Sequence, residues 1–147
     1  MKAMIVYDSK WGNTENIAKA ISIGLGSGTK AVRVGSPSSN EYDKVDLLVV
    51  GSPILGGRPS EAIQRYINEI PQTISKRLKA ATFDTRLASK FVKIFGFAAV
   101  RMAGQLKEKG FTLCLQPEGF IVNSRSGPLA DGEIERATQW GKELSKL

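Results

Sequence analysis

Short apolar runs alternate with amphipathic stretches along the whole chain, and this alternation limits the fold more than any other feature. Met4 to Tyr7 is a short apolar run that ends at Asp8, as a buried strand would. Asn16 to Leu25 carries Ile17, Ile21 and Leu25 at a spacing of four, one face of a helix. Ala31 to Val34 reads as a second strand. Asp46 to Val50 reads as a third, apolar enough to be covered on both faces. Ala62 to Ile70 predicts a helix stopped by Pro71. Ala80 to Phe83 predicts a fourth strand, and Ala99, Met102, Ala103 and Leu106 mark another helix. Phe111 to Leu115 predicts a fifth strand, resumed at Phe120 to Val122. Gln116 to Asp131 as a whole reads as a surface excursion. A last helix places Ile134, Ala137, Gly141 and Leu144 on one face, with Asp131 as its cap. Strand and helix in strict alternation mean an α/β protein, a parallel sheet with helices on both faces.

The chain has 147 residues, which predicts one domain over 1–147 with a substantial core. It contains no histidine, so imidazole is excluded as base, acid or metal ligand. Its one cysteine, Cys114, can neither close an internal disulfide nor build a thiolate metal site. Placed in an apolar strand, Cys114 reads as a small buried hydrophobe. A reducing, cytoplasmic setting is the expectation, with no metal. Met1 to Tyr7 is too short an apolar start for a signal peptide, and no run reaches a membrane span.

In an open parallel sheet, ligands sit beyond the carboxyl ends of the strands. The loop after the first strand, Asp8-Ser9-Lys10-Trp11-Gly12-Asn13-Thr14-Glu15, leaves a strand and enters a helix. Backbone N–H groups and the positive helix end there suit a phosphate, with Ser9, Asn13 and Thr14 as further donors. Plain capping by Asn13 or Thr14 is the other reading. The loop after the third strand, Gly51-Ser52-Pro53-Ile54-Leu55-Gly56-Gly57-Arg58-Pro59-Ser60, carries apolar Ile54 and Leu55 and a glycine pair free to adopt positive φ. Its apolar residues suit either a flat ring or a plug beneath the loop. A ligand that satisfies both loops together is a mononucleotide such as a flavin.

Three other patterns lack their required context. The first loop has no Walker lysine motif. Gly24-x-Gly26-x-Gly28 follows a helix instead of opening one, and reads as a helix stop. A phosphorylated receiver would need an acid after the third strand and a lysine after the fifth, where Gly51 and Leu115 stand.

On these two loops the sequence resembles the flavodoxin family. Tyr7-Asp8-Ser9-Lys10-Trp11-Gly12-Asn13-Thr14-Glu15 is similar to the corresponding loop in flavodoxin-type domains of flavo-diiron electron carriers. The resemblance implies a flavodoxin-like three-layer sandwich, a five-stranded parallel sheet in the order 2-1-3-4-5, with FMN at the switch point. It implies that Ser9, Lys10, Trp11, Gly12, Asn13 and Thr14 hold the phosphate. Ser52, Pro53, Ile54, Leu55, Gly56 and Gly57 would line the ring, with a carbonyl at Gly56 or Gly57 able to turn toward it. Asp84, Thr85 and Arg86 would form the third wall. The family's stacking aromatic after the fourth strand has no direct counterpart, which leaves Phe91, Phe95 or Trp11 for that place.

The resemblance further implies an electron carrier that serves redox partner proteins. An FMN-dependent NAD(P)H or quinone reductase and a flavodoxin-fold interaction module without FMN are the alternatives. The whole excess charge of +7 lies between Thr73 and Lys109, where nine basic residues face two acidic ones. That stretch predicts either a solvated basic face or a docking surface for an acidic partner or an anionic small molecule. Nucleic acid has no supporting motif. Arg86 or Lys90 beside the flavin would favour its reduced anion.

Overall fold

The computed structural model describes residues 2–88 and 97–147; Lys90, Phe91, Lys93 and Phe95 lie outside the described residues. The elements run β1 (Ala3–Tyr7), α1 (Asn13–Leu25), β2 (Lys30–Arg33), β3 (Leu47–Pro53), α2 (Glu61–Glu69), β4 (Lys79–Leu87), α3 (Ala98–Glu108), β5 (Thr112–Leu113), β6 (Glu118–Val122) and α4 (Glu133–Ser145). Every strand pair is parallel, in the order β2-β1-β3-β4-β5. This is the predicted flavodoxin-like order.

Side chains alternate faces along a strand, so the fully buried β1 and β3 feed two cores. Ile5, Tyr7, Leu47, Val49 and Phe83 meet Ile17 and Ile21 of α1 and Trp140 and Leu144 of α4. Met4, Val6, Leu48 and Val50 meet Ile63 and Ile67 of α2 and Met102 and Leu106 of α3.

The outer edge differs from expectation. β5 pairs with β4 only at Lys79–Thr112 and Ala80–Leu113, and Cys114 N–H donates one more bond to Ala80 O. The chain then leaves the ladder and returns as β6, pairing Phe83 through Leu87 with Glu118 through Val122. Pro117 stands at the break and has no N–H to donate. The sheet therefore has six strands rather than five, and residues read as a surface excursion supply one of them. Phe120 drives the return. Its ring is fully buried, edge-on to Phe83 at 6.0 Å and to Trp140 at 6.2 Å. Cys114, at the break, is half-buried, and burial pushes its thiol up.

Two helix ends also differ. Gly24 does not stop α1 but lies within it, against α4; Gly26, at φ 96°, is the stop. Asp131 does not cap α4, whose N-cap is Gly132 with no side-chain bond. Glu133 does the tying instead. It accepts from Ile121 N–H at 2.6 Å and from Arg136 Nε at 2.9 Å, which binds β6 to the helix start.

The Arg136 bonds hold the Glu133 carboxyl below its ordinary range. The folded state therefore keeps this group proton-free at a pH where the unfolded chain has already protonated it. Its stabilisation is full above the ordinary carboxylate pKa and disappears as pH falls through the depressed one. Glu133→Gln is expected to lose about 1 kcal/mol at pH 7 and nothing in acid. Urea midpoints at the two pH values check this; an equal gap at both would refute it.

Candidate functional site

The carboxyl ends of β1, β3, β4 and β6 open into one cleft of about 240 Å³. A larger hollow of about 480 Å³ lies at the opposite end of the sheet, by Lys2, Lys30 and Asp43. That end carries none of the strand-to-helix loops where an open parallel sheet binds ligands.

The first wall is the loop after β1. Ser9 Oγ accepts from Gly12 N–H at 3.1 Å and Glu15 N–H at 3.3 Å, and so folds the loop back on itself. Gly12, at φ 94°, is the N-cap of α1 and makes no side-chain cap. Asn13 and Thr14 do not cap either; they are the first helical residues. Thr14 Oγ1 lies 2.8 Å from Thr85 Oγ1 and joins this loop to β4. No acceptor among the described residues takes the N–H groups of Lys10, Trp11, Asn13 or Thr14. Four donors at a positive helix end are thus available to an anion.

A bracing set stands behind the loop. Arg33, at the end of β2, donates to Ser9 O at 2.9 Å and lies 3.5 Å from Asp8 and 3.4 Å from Glu15. Tyr7 OH donates to Glu15 at 3.2 Å, which holds that carboxyl below its usual range. Burial, with Glu15 beside it, pushes the Tyr7 phenol up.

The second wall is the loop after β3. Leu55 and Arg58 exchange two backbone bonds, at 2.8 and 3.1 Å, across Gly56 (φ 59°) and Gly57 (φ 78°). Positive φ at both central residues is the requirement of a type I′ turn. Pro53, Ile54, Gly56 and Gly57 line the cleft. Ser52 does not. It is fully buried, donates to Pro53 O and accepts from Ser60 N–H, closing the loop internally. Leu55 and Gly12 are also absent from the lining.

The third wall corrects an expectation. Asp84 is fully buried and is not among the residues that line the cleft. Its carboxylate is engaged by Arg86 at 2.6 and 2.9 Å and by Ala99 N–H at 2.9 Å. Burial pushes this carboxyl up, against the pull of Arg86. The two-pronged geometry is that of a guanidinium–carboxylate pair. Arg86 sits 3.5 Å from the Phe97 ring centre, and it also lies against Gly119, where an added Cβ would overlap the guanidinium and push it from its place on Asp84. Arg86 and Thr85 reach the cleft edge, but the charge of Arg86 is matched by Asp84.

The fourth wall has no counterpart in the sequence reading. β6 continues into a hairpin: Val122 bridges Leu129, Asn123 N–H donates to Pro128 O, and Ala130 N–H to Ile121 O. Val122 and Arg125 line the cleft, as does Leu87. Arg125 and Arg33 both escaped the sequence reading, since nothing local marks an arginine as facing a loop distant in sequence. Of the aromatic residues weighed for stacking, Trp11 is at the cleft and 38% exposed, while Phe91 and Phe95 lie outside the described residues.

Comparison with known proteins agrees with this geometry. A flavodoxin-domain family model matches residues 4–102. No curated protein matches the sequence. Among solved structures, a flavodoxin from the domain Archaea is similar with a TM-score of 0.81 at 21% identity, over 99% of this chain and 97% of that one. Flavodoxin 1 from Bacillus cereus gives 0.77 at 20% identity, over 99% and 98%. A flavodiiron core from Synechocystis gives 0.78 at 22% identity over 99% of this chain but 35% of its own length, so this chain spans about a third of that protein. Likeness at such identity speaks for the fold, whereas the family match covers more than half of the chain. The sheet order, the two convergent loops and that match together show that this chain belongs to the flavodoxin family.

Proposed function

We propose that this chain binds FMN in the cleft and carries electrons between other proteins. FMN is the cofactor of the flavodoxin family. One observation carries the reading: four unpartnered N–H groups at the start of α1 share a cleft with the apolar Pro53–Ile54 wall and the Gly56–Gly57 turn. The donor set fits a phosphate, and the apolar wall fits a flat ring. FMN, when bound, supplies the chemistry by accepting and releasing electrons on its ring. The chain's own residues bind and orient it. The N–H groups of Lys10, Trp11, Asn13 and Thr14 hold the phosphate, Ile54 packs on the ring, and the glycine turn presents backbone to it without side-chain obstruction. At about 240 Å³ the cleft is smaller than one that encloses a ligand fully, which suits a cofactor that must face a partner.

The proposed partners are redox proteins with acidic rims. The Lys10 side chain stands at the cleft with no carboxylate partner among the described residues. In the basic stretch from Thr73 to Lys109 three cations are tied down by the fold, though only the last of them by a carboxylate. Arg77 donates to Tyr42 O and Val45 O, Lys109 to Asn68 O and Ile70 O, and Arg86 is paired with Asp84. No helix among the described residues is long and apolar enough to cross a membrane.

The purified protein is expected to show a yellow flavin band pair that survives gel filtration. Asn13→Asp, isosteric but anionic beside the phosphate, is expected to weaken FMN by about 10-fold to 100-fold. Colourless protein that FMN cannot reload would defeat the cofactor assignment. Rapid steady-state turnover of NADPH with a quinone would replace the carrier by a reductase.

A further inference from the structure

We infer that Arg125 is a binding residue for the ligand phosphate, presented by the Ile121–Ala130 hairpin; this rests on the FMN reading above. The hairpin lies beyond residues 4–102, the part matched to the family, so nothing in that match assigns it a role. Three observations point to the phosphate end of the cleft.

First, the hairpin is built tightly. Its ladder bonds are joined by Gly127 N–H donating to Ser124 O at 3.0 Å and by Ser124 Oγ donating to Gly127 O. Leu129 anchors it on the core that contains Phe120. Second, its tip is pressed against the start of α1. At Gly127 (φ 105°) an added Cβ would lie 2.7 Å from Asn13 Oδ1 and 3.0 Å from Nδ2, so the backbone two residues from Arg125 rests on the carboxamide beside the free N–H groups. Third, Arg125 is exposed, lines the same cleft as Ser9, Asn13 and Thr14, and has no acceptor among the described residues. Arg86, the other arginine at the cleft, already has Asp84. An unmatched guanidinium beside a set of neutral donors is the element that distinguishes a phosphate dianion from a neutral hydroxyl.

The consequence concerns selectivity. Neutral N–H donors serve both a phosphate and, more weakly, a ribityl hydroxyl. A guanidinium adds a charge-dependent contact that riboflavin cannot use. The experiment is flavin fluorescence quenching with FMN and with riboflavin, at low and high salt, for the wild-type chain, Arg125→Gln and Arg125→Lys. Because Arg125 is exposed, the variants are expected to fold, which circular dichroism verifies. Arg125→Gln is expected to weaken FMN by about 10-fold to 100-fold. Riboflavin affinity should stay unchanged, and most of the salt dependence of FMN binding should be lost. Arg125→Lys should retain part of both, since the charge remains without the fork. Equal loss for FMN and riboflavin, or no loss for either, would overturn the role of Arg125 while leaving FMN binding in place. A wild-type chain that takes up neither flavin would overturn the FMN reading itself, and this inference with it.

Discussion

Arg86→Met is expected to cost about 3–5 kcal/mol, because it leaves a buried carboxylate without its counter-ion. Asp84 has no access to water, and of its partners only Ala99 N–H would remain. Adding Asp84→Asn is expected to recover most of the loss, since a neutral amide still accepts from Ala99 N–H. Urea unfolding of both single variants and the double variant measures the coupling; strictly additive losses would refute it. The pH dependence has a definite sign. Without Arg86 the Asp84 carboxyl rises further above its unfolded value, so the folded state binds the extra proton. Arg86→Met should therefore regain stability as pH falls from neutral toward the unfolded carboxylate range. The same pairing removes the basis for expecting Arg86 to favour the reduced flavin as a free charge.

Gly24→Val is expected to be at least as damaging, at about 3 kcal/mol or more. An added Cβ at Gly24 would run into Thr138 O and lie 2.9 Å from Lys142 N, while one at Gly141 would run into Ile21 O and lie 3.1 Å from Gly24 Cα. All these obstacles are backbone, so no side-chain rotation relieves them. α1 and α4 would have to separate, which opens the core around Ile17, Ile21, Trp140 and Leu144. Gly104 provides the contrast. It lies inside α3, is exposed, and has nothing within 4 Å of an added Cβ. Gly104→Ala should stabilise by about 0.5–1 kcal/mol through helix propensity alone. Denaturant midpoints for the pair test whether the helix crossing or glycine content as such sets the cost. A Gly24→Val protein as stable as the wild type would refute the close crossing.

What local pattern carries was legible before any coordinates. The buried runs of β1 and β3, the spacing of α1 and the composition of the Ser9–Thr14 and Pro53–Gly57 loops led to the elements and to two ligand-competent loops, while the strand order that brings those loops together came from the family resemblance they carry. These features depend on periods of two or 3.6 residues and on turn chemistry, which neighbouring residues determine. The rest depended on residues brought together across the sheet. The roles of Gly24 and Gly141 are set by a helix crossing that joins the two ends of the chain. The inward turn of Asp84 follows from strand alternation, but its satisfaction there needs Ala99 and Arg86 in position. The interrupted edge strand exists because Phe120 finds Phe83 and Trp140. Arg33 and Arg125 acquire their places from β2 and from the hairpin, and no local signal distinguishes either from an ordinary surface cation. Sequence alone decided which segments form elements and which loops are fit to hold a ligand. Tertiary packing decided which charges are matched inside the protein and which remain for the cleft, because a charge's partner is a matter of distance through space, not along the chain.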